Sequence, residues 1–275
     1  MPIKLLGGGY TNYFSFIANK AKRLLIPYFF VAIVWVVPIS QYFYKWDAIT
    51  LVKKYVLCTS PSQLWYLWML FDLFVFGWQI KKILLTGKLK GTVLVVGIWA
   101  IGYLAEWYGV PNIFCILSMC KYLPFFYVGM NIRVKHEYGE KLAIEKLPIS
   151  ILFAVEIVIF ALYLWLENNF SGIFISIIGL VQHIANAVIV VTILQILAVK
   201  VDWENNRLFT TLSRCSMPMY LFHQQIIYFF IRILNGKVSP YIQGGLTFII
   251  AVICSLVISS VLMRSKYTRF LIGEK

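Results

Sequence analysis

Ser213–Gln225, SRCSMPMYLFHQQ, runs directly into Ile226–Leu234, IIYFFIRIL, and this stretch decides how the rest of the chain is read. It sets a serine, a tyrosine, a histidine and two glutamines into an otherwise apolar segment of helical length. Ser216, Tyr220 and His223 are four and then three residues apart, so on a helix they form one stripe. If the helix enters a bilayer near Cys215, His223 lies about 12 Å deep at the helical rise per residue. That is close to the midplane of a hydrocarbon layer about 30 Å thick. An ionisable side chain there is costly unless it faces a bundle interior or a wet cavity. The stretch therefore predicts a polar site inside a helical membrane protein, against the plainer reading of packing alone.

Composition supports the same class. The chain has 275 residues, of which 61% are hydrophobic and only 13% charged, with a mean hydropathy of +0.80, which excludes an ordinary soluble domain. The net charge of +14 does not indicate nucleic acid, because the cations sit in short loops between apolar runs. Cys58, Cys115, Cys120, Cys215 and Cys254 show no CxxC pair and read as free, membrane-buried thiols. Met1–Ala21 has no apolar core followed by a small-residue cleavage site, so no cleavable signal peptide is expected.

Apolar runs predict an all-α, polytopic transmembrane bundle of about eight spans, filling residues 1–275 as one membrane-embedded domain. The expected spans are Leu24–Tyr44, Leu64–Ile80, Thr92–Trp107, Ile113–Ile132, Leu147–Leu166, Ile173–Val199, the opening stretch, and Gly245–Met263. The triple glycine Gly7–Gly9 lacks the strand and Lys-Ser pair of a phosphate loop and reads as a flexible or broken segment. Basic residues gather at alternate loops. Lys20, Lys22 and Arg23 precede the first span, Lys81, Lys82, Lys88 and Lys90 follow the second, and Arg133–Lys146 is the most charged loop. The opposite loops hold only Lys45, Lys53, Lys54 and Lys237. This asymmetry predicts that both termini are cytoplasmic.

No stretch carries HExxH, a Walker sequence or metal-ligand spacing, so no metal site is expected. The candidates are the polar groups inside spans: Asp72, Lys121, Glu156, His183, His223 and Arg232. By helical rise, Asp72, Glu156, His183 and His223 all fall at similar depth and are able to share one layer. The bland alternatives are that Lys121 and Arg232 snorkel, and that Asp72 and Glu156 pair with them as structural glue. His183 then hydrogen-bonds across helices. Trp46, Trp78, Trp107, Trp165 and Trp203 fit interface belts, whereas Trp65 and Trp68 are candidates to line a pocket.

Four stretches together resemble the integral-membrane acyltransferase 3 family, which includes bacterial polysaccharide O-acetyltransferases. They are KRLLIPY (Lys22–Tyr28), LWYL (Leu64–Leu67), YLPFFYVGM (Tyr122–Met130), and Ser216-Met217 with Tyr220-Leu221-Phe222-His223. The resemblance implies about ten spans and transfer of an acyl group from cytoplasmic acyl-CoA to a sugar hydroxyl outside. Members of that family begin with a helix holding an arginine and, some ten residues on, a histidine thought to be catalytic. This chain begins at what resembles the end of the second helix, near Gly9-Tyr10, so it is expected to be truncated and of low activity alone.

The resulting expectation is a multi-pass acyltransferase of a bacterial plasma membrane that acetylates a cell-envelope polysaccharide. Acetyl-CoA is the expected co-substrate, with no bound cofactor. The expected partners are the lipid bilayer, acyl-CoA and an extracytoplasmic glycan acceptor. Lys22 and Arg23 would hold the phosphates of coenzyme A at the cytoplasmic mouth, with Trp65 lining the donor pocket. Ser216, Tyr220 and His223 would position the thioester or acceptor hydroxyl, His223 being suited to general-base work. The competing expectation is a non-enzymatic transporter or glycan-export component using the same buried polar groups as a pathway.

Overall fold

The structure, a computed structural model, describes residues 12–86, 88–137, 147–171, 173–200 and 206–274. Gly7–Gly9, Tyr10, Trp203 and most of the Arg133–Lys146 loop lie outside the described residues.

The described residues are mostly helical, with no strand among them. α1 (Tyr13–Val31) continues through a π turn (Ala32–Val36) into α2 (Val37–Tyr44), giving one apolar rod from Tyr13 to Tyr44. Val37 N–H bonds to the Ala32 carbonyl, five residues back, one position before Pro38, whose nitrogen has no hydrogen to give. A short helix α3 (Ala48–Leu51) and a second π turn (Val52–Val56) lie in the connection from α2 to α4. The remaining helices are α4 (Trp65–Thr86), α5 (Lys88–Trp107), α6 (Ile116–Glu137), α7 (Ile149–Asn169), α8 (Ile173–Lys200), α9 (Arg207–Leu234), α10 (Pro240–Leu262) and α11 (Lys266–Leu271).

Six of these helical segments are long and apolar enough to cross a membrane: Tyr13–Tyr44, Leu89–Trp107, Ile113–Val134, Ile149–Asn169, Phe174–Leu197 and Pro240–Leu262. α4 and α9 match them in length but carry too many polar residues to meet that measure. The first helix starts earlier than the sequence suggests because the Asn12 side chain caps it, accepting from Phe14 N–H at 3.0 Å. Its basic residues therefore ride on the helix, with the Lys20 ammonium 3.7 Å from the centre of the Phe74 ring. α9 likewise starts at Arg207, where Asn206 Oδ1 accepts from Phe209 N–H at 3.1 Å.

α4 sits between α1 on one side and α5 and α6 on the other. α9 and α10 form a closely packed antiparallel pair, and α9 also meets the π turn of the first span. α7 and α8 form an outlying hairpin that joins the rest through α6 and α5. The main core draws on Phe16, Tyr28, Leu64, Leu67, Leu123 and Leu221, while Leu152, Ile189 and Ile193 make a separate small core in the α7–α8 hairpin. Exposed Ile157, Val158, Phe160 and Leu162 on α7 form an apolar face suited to lipid.

Small residues set the closest helix approaches. Thr247, Ala251, Ser255 and Ser259 form a buried four-residue-spaced stripe on α10. Gly102 of α5 faces Cys120 of α6 so closely that a Cβ added there would lie 2.5 Å from Cys120 Cβ. Pro27 inside α1 leaves the Arg23 carbonyl without its helical donor, and Gly273 after α11 lies directly against it.

Candidate functional site

The site forms where the start of α4 meets the middle of α9. A 3-10 turn, Ser62–Leu64, leads into α4 and presents Gln63 to α9. Gln63 and Gln225 are almost fully buried, and each needs partners because an unpaired amide in an apolar interior is costly. Gln63 Nε2 donates to the Leu221 carbonyl at 3.1 Å. Gln225 Nε2 donates to Gln63 Oε1 at 3.2 Å and to Ser62 Oγ at 3.3 Å. The Tyr220 hydroxyl donates to the Gln63 carbonyl. On the other side of α9, Trp35 Nε1 donates to the Phe222 carbonyl at 3.3 Å, fastening the first span at the same level.

His223 belongs to this cluster. Its Nδ1 lies 2.8 Å from the Tyr220 carbonyl and 3.2 Å from the Met219 carbonyl. A carbonyl oxygen only accepts, so Nδ1 carries the hydrogen, and in the neutral ring Nε2 holds the lone pair. The Tyr220 ring lies 5.9 Å from the imidazole and 5.7 Å from Tyr66.

Beside this network opens a cleft of about 320 Å³, lined by Thr59, Ser60, Ser62, Trp65, Asn112, Ser118 and Gln224 among others. Its walls are strained. Cys58, Ser62, Phe114 and Cys115 have φ of 53°, 54°, 51° and 58°, a left-handed conformation unfavourable for side chains of this size. Each such residue costs of order 1–3 kcal/mol and persists where the surroundings over-determine it, which happens preferentially at functional sites. Here the surroundings are explicit. Phe114 N–H bonds to the Leu57 carbonyl at 2.7 Å, Cys115 Sγ donates to the Cys58 carbonyl at 3.3 Å, and the Tyr28 hydroxyl donates to the Tyr55 carbonyl at 2.8 Å. Asn112 holds the start of α6, accepting from Leu117 N–H at 2.9 Å and donating to Ser118 Oγ at 2.9 Å.

The residues singled out from sequence divide into two groups. Trp65 lines the cleft, Tyr220 joins the network beside it through the Gln63 carbonyl, and His223 meets that network through Tyr220, without itself lining the cleft. Ser216 stays outside it, exposed and donating back to the Ser213 carbonyl at 2.8 Å. Lys22 and Arg23 are exposed on α1. Tyr28 packs on Trp68 at 5.3 Å between ring centres. By helical rise, this contact sets Lys22 and Arg23 about 13 Å along the bundle from Trp65.

The groups expected to share one layer lie on helices in separate parts of the bundle. Asp72 lies on α4, whereas Glu156 and His183 belong to the α7–α8 hairpin, with α6 between. Nor do the spanning carboxylates pair with the spanning cations. Lys121 pairs with Glu106 at the end of α5, and the Arg232 guanidinium lies 4.9 Å from the centre of the Phe43 ring. One carboxylate oxygen each of Asp72 and Glu156 is buried without a hydrogen-bond partner among the described residues.

Sequence reasoning missed the second wall of the cleft. From sequence, Thr59–Ser62 is turn-like and Ile113 only opens the fourth span, so neither stretch stands out as part of a site. The available signal was the run of polar residues ahead of LWYL, together with two cysteines at corresponding span edges.

The family model for the acyltransferase 3 family, described as an acyltransferase domain, matches residues 5–264. No curated protein and no solved structure matches the chain.

Proposed function

Because the chain belongs to the acyltransferase 3 family, we propose that it is a membrane acyltransferase carrying an acetyl group from acetyl-CoA to a hydroxyl of a cell-envelope glycan. The observation that carries this reading is His223, with Nδ1–H turned to backbone carbonyls and Nε2 left as the base, one residue before Gln224, which lines a strained polar cleft inside an apolar bundle.

In the proposed reaction, His223 Nε2 takes the proton of the acceptor hydroxyl as that oxygen attacks the thioester carbonyl. The tetrahedral centre then expels the coenzyme A thiolate, and the proton held on Nε2 passes to the sulfur. Acetyl ester and free thiol result, and the imidazole returns to its starting state. The bonds from Nδ1 to the Tyr220 and Met219 carbonyls hold the ring in the required tautomer. Gln224 and Asn112, which line the cleft, offer amide donors to the developing oxyanion.

The charge pattern supports a plasma-membrane orientation with both termini cytoplasmic. The cleft then lies at the outer ends of α4 and α6, and Lys22 and Arg23 lie toward the inner face. The separation of about 13 Å is of the order of the arm between the phosphates and thioester of acyl-CoA. An apolar groove of about 500 Å³ climbs the first span from Lys22 to Ile33 in the same direction.

The test is binding and transfer of radiolabelled acetyl-CoA by the purified chain in lipid nanodiscs. Saturable binding that unlabelled acetyl-CoA competes away is expected, with label passing to envelope glycan. Absence of saturable binding would refute the donor assignment.

A further inference from the structure

A second cleft, of about 380 Å³, lies between α5, α6, α7 and α8 and plays no part in the chemistry above. Its walls are aromatic: Trp99 and Tyr103 stack at 5.8 Å and 23°, Tyr122 comes from α6, and Tyr163 stands against His183 at 6.0 Å. Gly179 of α8 makes room for the Tyr163 ring, since a Cβ there would lie 3.3 Å from its edge. Polar groups are interleaved with the rings. Ser176 Oγ donates to the Tyr103 hydroxyl at 2.7 Å, and the Tyr163 hydroxyl donates to Glu167 Oε1 at 3.2 Å.

Three observations narrow the occupant. First, flat amphipathic rings edged by hydroxyls and a carboxylate suit a molecule with C–H faces and hydroxyl rims, which describes a pyranose sugar. Second, the cleft does not suit the phosphates of acyl-CoA. Among the described lining residues its cation is Lys121, which Glu106 already engages, and Glu167 adds negative charge. Third, the cleft adjoins the first cleft. Ser118 lines the first cleft, and Lys121 and Tyr122 line the second, about one helical turn away on α6. The Tyr122 ring lies 5.3 Å from Trp65, so this one aromatic pair forms the partition between the two spaces.

We propose that the α5–α8 cleft is an acceptor subsite that binds a sugar ring of the glycan and feeds its neighbouring hydroxyl past Trp65 and Tyr122 toward His223. The proposal rests on the acyltransferase reading for the reaction and adds where the sugar sits. The cleft opens where α5 and α7 end and α6 and α8 begin, which the charge pattern places on the outer face.

The experiment is saturation-transfer NMR on the full chain in nanodiscs and uses no acyl donor. One arm adds water-soluble oligosaccharides released by mild acid from the envelope of the producing cells. The other arm adds the lipid-linked sugars extracted from the same cells with organic solvent. Transfer to the C–H protons of a sugar ring is expected in at least one arm. The first identifies a polymer as the acceptor, and the second an acceptor modified before polymerisation. Tyr163→Ala is expected to weaken binding about 10-fold, the weight of one stacking ring. Tyr103→Phe, which keeps its ring and loses its hydroxyl, should have a smaller effect. Labelled acetyl-CoA binding serves as the folding control and should stay at the parent level in both variants. No transfer to sugar in either arm, or transfer undiminished in Tyr163→Ala, overturns the subsite. Failure of acetyl-CoA binding with intact sugar binding refutes the donor assignment instead and leaves the subsite standing.

Discussion

Replacing Gln63 by leucine is expected to loosen the joint between α4 and α9 by a predictable amount. The side chain is 4% exposed, donates to the Leu221 carbonyl and accepts from Gln225. A net contribution near 1 kcal/mol per hydrogen bond gives about 2 kcal/mol. Measured interhelical bonds in membranes average nearer 0.6 kcal/mol, which lowers the estimate to about 1 kcal/mol. The full penalty for orphaned groups does not apply. Leu221 lies inside a continuous helix, whose carbonyls keep their intrahelical donors, and Gln225 still has Ser62 at 3.3 Å. The expected loss is therefore about 1–2 kcal/mol. Reversible unfolding in mixed micelles measures it, with Gln225→Leu and the double variant completing a cycle. The double variant should fall short of the summed single losses by about 0.5–1 kcal/mol, the coupling of the shared bond. Strict additivity, or a Gln63→Leu variant within 0.3 kcal/mol of the parent, would show that this bridge does not hold the joint.

Other substitutions probe separate parts of the structure. His223→Gln should leave folding intact and lower acetyl transfer by about 10²- to 10⁴-fold, and unchanged transfer in a complemented strain would return His223 to a packing role. Gly273→Ala places a Cβ 2.6 Å from the Arg23 carbonyl oxygen at φ +80°, so the micelle assay should show a loss of at least about 1 kcal/mol. Gly102→Val should force α5 and α6 apart, with a cost of about 1–3 kcal/mol read by the same unfolding transition. A cysteine at Asn169 should react with an impermeant maleimide from outside intact cells, and one at Arg264 should not.

The helices and their chain order were legible because apolar runs of span length leave few alternatives. Helix starts were not. Capping by Asn12 and Asn206 extends α1 and α9 into segments whose polarity looks like loop, and a capped turn is stabilised by one side chain rather than by composition. Half of the site was legible as well, since Tyr220 and His223 stand out against an apolar background. The other half depends on a long-range pairing. Gln63 meets Leu221 across 158 positions, and Phe114 meets Leu57 through backbone groups that no side-chain pattern reports. Cysteines scattered in sequence hid the contact of Cys115 with Cys58 for the same reason. Helical depth failed as a guide to proximity. Asp72, Glu156 and His183 sit at similar calculated depths, yet bundle position, which depth does not encode, separates them.

The two helices too polar to qualify as spans by composition are also the two that build the site, and the charge pattern bears on whether they cross. If α4 and α9 both stayed on one side, α5 through α8 would reverse. Lys81–Lys90, Arg133–Lys146 and Lys200–Arg214 would then join Lys45, Lys53 and Lys54 on the outer face, and the basic asymmetry would reverse. With both crossing, every one of those clusters returns to the cytoplasmic face. The polar side chains where they meet are satisfied internally, since Gln63, Gln225 and Tyr220 bond to one another, and α4 is enclosed by α1, α5 and α6. The Asn169 cysteine separates the two arrangements, because it is outside only if α4 crosses. Its protection from the impermeant reagent would remove α4 from the membrane and carry the outer-face assignment of both clefts with it.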